Sequence, residues 1–184
     1  MTHAFAARDH SGLVVALPEL ESFVGHWRSR YDAAVSGVPA HVTLLVPWVP
    51  PAEITAADLD AVAQLAKSSR PFSVSFRDFG VFENPDGPDV YWLAPEPSDE
   101  FLALMDDVQT CWPDYPPYEG AHGDDVTPHL TVSSTAAAIE VEEMLAAVRG
   151  LLPVTARADQ ISVLEVAGGR CTTRQSFRLG GKKR

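Results

Sequence analysis

The sequence predicts an α+β fold made by duplication, in which two lobes, each a mainly antiparallel sheet backed by helices, enclose a central cleft. Three observations predict this fold. Each half of the 184-residue chain contains the order helix, strand, helix, hairpin. Short turns join neighbouring strands, which is typical of antiparallel pairing. A His-x-Thr tripeptide falls on the equivalent predicted strand of each half.

In the first half, apolar runs predict strands and apolar residues at a spacing of three and four predict helices. The predicted strands cover residues 13–17, 41–46, 72–82 and 90–93, and the predicted helices cover 18–31 and 55–68. The sequence Asn-Pro-Asp-Gly-Pro at 84–88 has turn chemistry, so the last two strands are expected to form a hairpin.

The second half repeats this order. Helices are predicted at 98–112 and 136–149, and strands at 126–132, 154–166 and 172–179, the last two joined around Gly168 and Gly169. No linker separates the halves, so residues 1–184 are expected to form a single domain. Its lobes would come from about 11–95 and 96–180, with strands able to exchange between them.

Composition restricts the partners. The chain holds 25 acidic and 14 basic side chains and has a net charge of -11, which argues against binding a long nucleic-acid backbone. Residues 149–184 hold eight of the basic and two of the acidic side chains, so an anion site is expected to draw on that segment. With no apolar run of membrane-spanning length and no secretory signal, we expect a cytoplasmic monomer with no membrane partner and with Cys111 and Cys171 as free thiols.

Two tetrapeptides carry the candidate chemistry, His41-Val42-Thr43-Leu44 and His129-Leu130-Thr131-Val132. Side chains alternate between the faces of a strand. Each histidine therefore shares a face with its threonine, while the aliphatic residues face the core. Two such strands meeting across a cleft would form a polar site of two imidazoles and two hydroxyls.

At these residues the sequence resembles the two-histidine (2H) phosphoesterase superfamily, which includes the 2',5' RNA ligase-like proteins and the 2',3'-cyclic nucleotide phosphodiesterases. The mark of that family is a pair of His-x-Thr or His-x-Ser motifs, each followed by an apolar residue, and His41, Thr43, His129 and Thr131 match it. The resemblance implies a bilobal fold with a central cleft, no metal or other cofactor, and two histidines acting on a phosphodiester. The residues themselves do not assign the acid and base roles; the resemblance favours His129 as base and His41 as acid, and the roles exchange when the reaction reverses.

Opening a cyclic phosphate requires a base that deprotonates water and an acid that protonates the leaving oxygen. Histidine, with an ordinary pKa of ~6.5, can serve as either. The threonine hydroxyls would hold the non-bridging phosphate oxygens. We therefore predict a metal-independent phosphodiesterase that acts on 2',3'-cyclic phosphate or 2',5'-linked nucleotides or short RNA ends. Hydrolysis and the reverse reaction, 2',5' RNA ligation, would need the same four residues.

Five further residues are candidates for substrate binding: Trp48, Tyr118, Ser133, Arg170 and Arg174. The aromatic rings lie near the motifs in sequence and could stack on a base, as could Tyr115 and Trp92. Ser133 continues the face of His129 and Thr131. The two arginines lie on the last predicted strand, where alternation places residues 170, 172, 174, 176 and 178 on one face and residues 171, 177 and 179 on the other.

Three alternatives to a two-histidine enzyme remain open. The cleft could belong to a nucleotide-binding module without turnover. His41 and His129 could be ligands of a metal-dependent hydrolase, although the acidic loop around His122, with Asp114, Glu119, Asp124 and Asp125, has no recognisable ligand spacing. The repeat could also be purely architectural, as in a scaffold protein.

Overall fold

The computed structural model contains four α-helices and eight strands in the residues that it describes. These residues are 8–31, 37–85, 87–121, 123, 126–134 and 138–180, without the side chains of residues 31, 138 and 139. The helices are α1 (Glu21–Tyr31), α2 (Ala56–Ser68), α3 (Asp99–Cys111) and α4 (Ala138–Arg149). The strands are β1 (His10–Ala16), β2 (His41–Leu45), β3 (Phe72–Phe82), β4 (Val90–Glu96), β5 (Leu130–Ser133), β6 (Val154–Ala158), β7 (Gln160–Ala167) and β8 (Arg170–Arg178).

The strands of this part of the chain form two antiparallel sheets of four strands each. Sheet A has the order β2-β1-β7-β8, and sheet B has the order β5-β4-β3-β6. The predicted α+β class with two antiparallel sheets and helices is therefore confirmed. Each motif strand, β2 or β5, lies at the edge of its sheet.

Each sheet takes strands from both halves of the sequence. The hairpin of β3 and β4 leaves the first half and joins β5 and β6, while β7 returns to pair with β1 and β8 pairs with β7. The helices also cross over, since α1 packs on β5 and α3 packs on β2. The two lobes therefore share one apolar core, which runs from Leu13 and Val42 in sheet A to Phe76 and Leu130 in sheet B.

One predicted strand proves to be two. The segment predicted as a single strand over 154–166 breaks at Asp159, so that β6 pairs with β3 in sheet B and β7 pairs with β1 in sheet A. The carbonyl of Asp159 accepts a hydrogen bond from Leu179 N at 2.8 Å. The apolar alternation changes phase at Asp159 and Gln160, a signal of the break that the prediction of one continuous strand overlooked.

Local chemistry fixes the segment that follows β2. Thr55, predicted as the first residue of a helix, is its N-cap, because its hydroxyl accepts from Asp58 N at 3.3 Å. The Asp58 carboxylate accepts in return from Thr55 N at 2.9 Å, which completes a capping box. Cys111 and Cys171 are free thiols, as expected. No helix in the described part of the chain is long and apolar enough to cross a membrane.

Candidate active site

The two motif strands bring their polar faces together. β2 and β5 contact each other where the sheets meet. Val42 and Leu44 are buried, as are Leu130 and Val132, whereas both histidines and both threonines are partly exposed. His129 lies one residue before β5. The pleat of each strand thus presents an imidazole and a hydroxyl on one side and sends aliphatic residues into the core.

Both imidazoles are held in the same way. Nδ1 of His41 donates to the carbonyl of Pro39 at 2.7 Å, and Nδ1 of His129 donates to the carbonyl of Thr127 at 2.7 Å. A carbonyl oxygen only accepts, so the proton of each neutral ring is assigned to Nδ1. In each motif, Nε2 is then the nitrogen that exchanges a proton with a bound molecule.

The surroundings of His41 lower its pKa from 6.5 to about 4. Burial is the largest cause, the positive charge of Arg28 acts in the same direction, and His129 makes a smaller contribution. The hydrogen bond to Pro39 opposes this shift. An imidazole with so low a pKa is neutral near pH 7, so His41 accepts a proton there more readily than it donates one. A neutral His41 favours the assignment of His41 as base and His129 as acid, which is the opposite of the assignment that the family resemblance favours.

Tyr118 closes the site beside Thr43. Its side chain forms a hydrogen bond with that of Thr43, and burial raises the pKa of the phenol, which keeps it protonated at neutral pH. Tyr118 N donates to the carbonyl of Val46 at 2.6 Å, just beyond β2. Its φ of 52° lies in the left-handed region, which a bulky residue rarely adopts. These contacts hold the loop between α3 and β5 against the first motif.

An aromatic wall, defined here as Phe82 and Trp92, flanks His129. The two rings stack with centroids 4.8 Å apart, and Phe82 meets His129 edge to face at 5.0 Å. Trp92 pairs with Gly80 across the hairpin, and a Cβ at Gly80 would lie 2.0 Å from the indole. The indole therefore lies across the glycine.

The sequence analysis did not select Phe82 as a candidate. The signal for it was Gly80, because a lone glycine within a strand indicates that another group approaches the backbone closely.

Two aromatic candidates lie elsewhere. Trp48 is 2% exposed and packs edge to face on Trp112, with centroids 5.2 Å apart, so its face is occupied by the core. Trp48 and Tyr115 border a cavity of about 300 Å³ that contains neither motif. Ser133 is fully buried in β5, where it pairs with Tyr91 after a bulge in the strand.

The prediction for the last strand is wrong in its faces. Thr173 and Gln175 pair with neighbouring residues of β7, so Arg174 forms a bulge that reverses the alternation. Cys171 consequently packs with Val14 on the side of Thr43, whereas Phe177 joins the main core on the other side.

This reversal turns both candidate arginines away from the motifs. Arg170 and Thr172 share the face of Glu165, opposite to the face of Thr43. The Arg174 guanidinium donates to the Glu165 carboxylate at 2.6 Å and to the Pro51 carbonyl at 3.3 Å. We therefore do not propose a phosphate contact for either arginine.

Within the residues that the structure describes, no cluster of three or more His, Cys, Asp or Glu side chains is arranged to hold a metal ion. In the acidic loop, Glu119 forms an ion pair with Arg8. His122, Asp124 and Asp125 lie outside the described residues.

A pair of partly exposed His-x-Thr faces, brought together from two sheets of a duplicated α+β fold, defines the class of two-histidine phosphoesterases. The family model described as "2'-5' RNA ligase superfamily" matches residues 16–170. The chain therefore belongs to the 2'-5' RNA ligase superfamily.

Individual relatives are distant in sequence and similar in fold. A Bacillus pumilus protein named "Putative phosphoesterase" is 25% identical over 177 residues, which cover 91% of this chain and 96% of that protein. The crystal structure of TT0787 from Thermus thermophilus matches with a TM-score of 0.61 and 20% identity over 95% of this chain and all of that one. E. coli LigT complexed with 3'-AMP matches with a TM-score of 0.57 and 18% identity over 93% and 98% of the two chains.

Proposed function

We propose that this protein is a phosphodiesterase that opens 2',3'-cyclic phosphates or cleaves 2',5'-linked nucleotides or RNA ends by acid–base catalysis at His41 and His129. The observation that carries the proposal is the matched anchoring of the two rings. Each Nδ1 is bound to a carbonyl two residues earlier, at 2.7 Å in both motifs, on two strands that contact each other. The two Nε2 atoms can then act on opposite sides of one phosphorus, one as base and the other as acid.

In the proposed hydrolysis, a water oxygen attacks phosphorus while Nε2 of His41 takes the proton of that water. The bond from phosphorus to the leaving ribose oxygen breaks, and His129 gives its proton to that oxygen. Thr43 and Thr131 donate hydrogen bonds to the non-bridging oxygens as their charge rises. His41 is assigned the role of base because its pKa of about 4 keeps it neutral at pH 7.

A small nucleotide or a short RNA end is the substrate that fits these surroundings. The aromatic wall beside His129 offers a stacking surface for a base. Relatives of the same fold give support, since LigT structures contain 3'-AMP, phosphate and ATP. The net charge of -11 disfavours a long nucleic acid. The same residues would catalyse ligation, in which a 5'-hydroxyl takes the place of water. Its oxygen attacks the cyclic phosphate as His41 takes its proton, the bond from phosphorus to the 3'-oxygen breaks, and His129 protonates that oxygen, which leaves a 2',5' linkage.

The test is hydrolysis of 2',3'-cyclic AMP, a short RNA with a 2',3'-cyclic phosphate, and 2',5'-linked and 3',5'-linked diadenosine phosphates, all with EDTA present. Wild type is compared with His41→Ala, His129→Ala and a matched control, His26→Ala, whose ring lies on the exposed side of α1. We expect turnover that survives EDTA and falls about 10²- to 10⁴-fold in the two motif variants, with the control unchanged.

The alternatives give different results in this experiment. Binding of cyclic AMP without turnover in any protein would support a nucleotide-binding module and contradict the proposal. Loss of wild-type turnover on adding EDTA would favour a metal-dependent hydrolase.

A further inference from the structure

Arg28 is a charged residue in a position where the sequence pattern calls for an apolar one. Leu20, Val24 and Arg28 follow one another at intervals of four along the buried face of the 18–31 segment. The residue is 5% exposed. Burying a guanidinium is unfavourable unless its donors are paired, so the contacts of Arg28 show what this residue contributes.

The contacts of Arg28 join the two motifs. Nη1 donates to the carbonyl of Thr131 in β5 at 2.6 Å. Nη2 donates to the carbonyls of Pro39 and Val38 at 3.3 and 3.5 Å. The Pro39 carbonyl is the same oxygen that accepts from Nδ1 of His41. A single planar guanidinium thus bridges the backbone of the second motif and the backbone group that orients the first histidine.

We propose that Arg28 is a positioning residue that sets the spacing and orientation of the two histidine motifs across the lobes. This inference rests on the proposed function. β2 and β5 are edge strands of different sheets, so no ladder of hydrogen bonds between sheets fixes their separation. Arg28, reaching from α1, connects them directly, and a lysine could not reproduce the forked contact.

A second consequence follows for proton transfer at His41. The charged or titratable groups that act on it from the surrounding elements are Arg28 from α1 and His129 from the segment before β5, while Tyr118 forms its hydrogen bond with Thr43, two residues further along β2. Glu21, also on α1, accepts from the amide of Ala40 next to it. The positive charge of Arg28 lowers the pKa of His41 and so helps to keep the ring neutral.

The experiment compares Arg28→Lys, which keeps the charge and loses the fork, with Arg28→Met, which loses both. Arg30→Lys and Arg30→Met are the matched controls, because Arg30 lies two residues further on the same helix in an exposed ion pair with Glu140. The readouts are kcat and KM for 2',3'-cyclic AMP from pH 4 to 8, thermal unfolding, and the titration of His41 followed by NMR of ¹⁵N-labelled histidine.

We expect Arg28→Lys to lose about 10- to 100-fold in kcat with little change in KM, while His41 titrates as in wild type. In Arg28→Met, we expect a similar loss of kcat and a rise in the pKa of His41, which moves the acid limb of the pH profile upward. The Arg30 variants should match wild type in all three measurements.

Wild-type kcat in Arg28→Lys would overturn the positioning role, and an unchanged His41 titration in Arg28→Met would overturn the effect of Arg28 on the pKa of His41. If no protein turns over the substrate, the proposed function fails, but the NMR titration still decides whether Arg28 acts on His41. If Arg28→Met does not fold, Arg28→Lys decides the positioning role by its kcat.

Discussion

His41 and His129 are anchored to the backbone by the same local contact. Both rings donate Nδ1 to the carbonyl two residues earlier at 2.7 Å, so their orientation relative to the backbone is alike. Around His41, burial and the nearby guanidinium of Arg28 lower the pKa to about 4. The ring is therefore neutral near pH 7, which is the state that a general base needs.

The lowered pKa of His41 predicts a pH dependence of stability. Between about pH 6.5 and pH 4, the unfolded chain binds a proton at His41 that the folded chain does not. The contribution to the free energy of unfolding is therefore complete above pH 6.5 and is lost as the pH falls towards 4. Over that window we expect His41→Gln to lose less stability than wild type, by a difference on the order of 3 kcal/mol.

Urea unfolding at several pH values measures this difference. The substitution His26→Gln, on the exposed side of α1, controls for exchanging a histidine as such. Parallel stability curves for wild type and His41→Gln between pH 6.5 and 4 would contradict the account of His41.

The sequence predicts the residues of the motifs better than their neighbours. Alternation along a strand is enough to place His41 with Thr43 and His129 with Thr131. Arg28 could be noticed only as a charge in an apolar stripe, and its partners are backbone carbonyls, which carry no sequence signal. Phe82 reaches His129 through the geometry of a hairpin.

At the scale of the element, the hairpin of β3 and β4 builds the aromatic wall. Gly80 and Trp92 are paired, and Phe82 lies two residues beyond Gly80 on the same face. Because Gly80 has no side chain, the indole of Trp92 can lie flat across the strand and reach both Phe82 and His129. The arrangement of the aromatic wall therefore depends on Gly80, which is not itself part of the wall.

Gly80→Ala tests this dependence. Alanine is the better strand residue, yet its Cβ would lie 2.0 Å from Trp92, so the indole must move away from Phe82 and His129. We expect a higher KM for 2',3'-cyclic AMP and a loss of about 1–3 kcal/mol in stability. Gly180→Ala is the control, since nothing lies within 4 Å of a Cβ at that position. An unchanged KM and stability in Gly80→Ala would contradict the role given to the wall.

Strand boundaries and faces proved harder to predict than strand existence. The bulge at Arg174 reverses the faces of β8, and the break at Asp159 divides one apolar run between two sheets. Around Arg174 the sequence carries no turn signal, and at Asp159 the only signal is a change in the phase of the alternation. The pairing of strands in the folded protein therefore determines these strand boundaries and faces, which the local sequence pattern did not predict.

Across the whole molecule, the two halves of the sequence exchange strands and helices, so that each sheet contains strands from both halves. Strands β3 and β4 leave the first half for sheet B, strands β7 and β8 join sheet A, and α1 packs against the opposite motif strand. The sequence predicted the duplicated order, but it could not predict partners, because apolar periodicity specifies a buried face and no particular neighbour. One shared core then fixes how the two motif strands face each other.

The central claim is that His41 and His129 act on one phosphorus, His41 as base and His129 as acid, and a change of leaving group tests it most directly. The kcat/KM values of wild type, His41→Ala and His129→Ala are measured on 2',3'-cyclic AMP and on a 4-nitrophenyl nucleotide diester that lacks a neighbouring hydroxyl. Nitrophenolate departs without a proton, so this diester needs a base but no acid.

On cyclic AMP, we predict that both variants lose about 10²- to 10⁴-fold. On the nitrophenyl diester, His129→Ala should recover most of the wild-type rate, while His41→Ala should not. Wild-type rates for either variant on cyclic AMP, or recovery of His41→Ala in place of His129→Ala on the diester, would contradict the account.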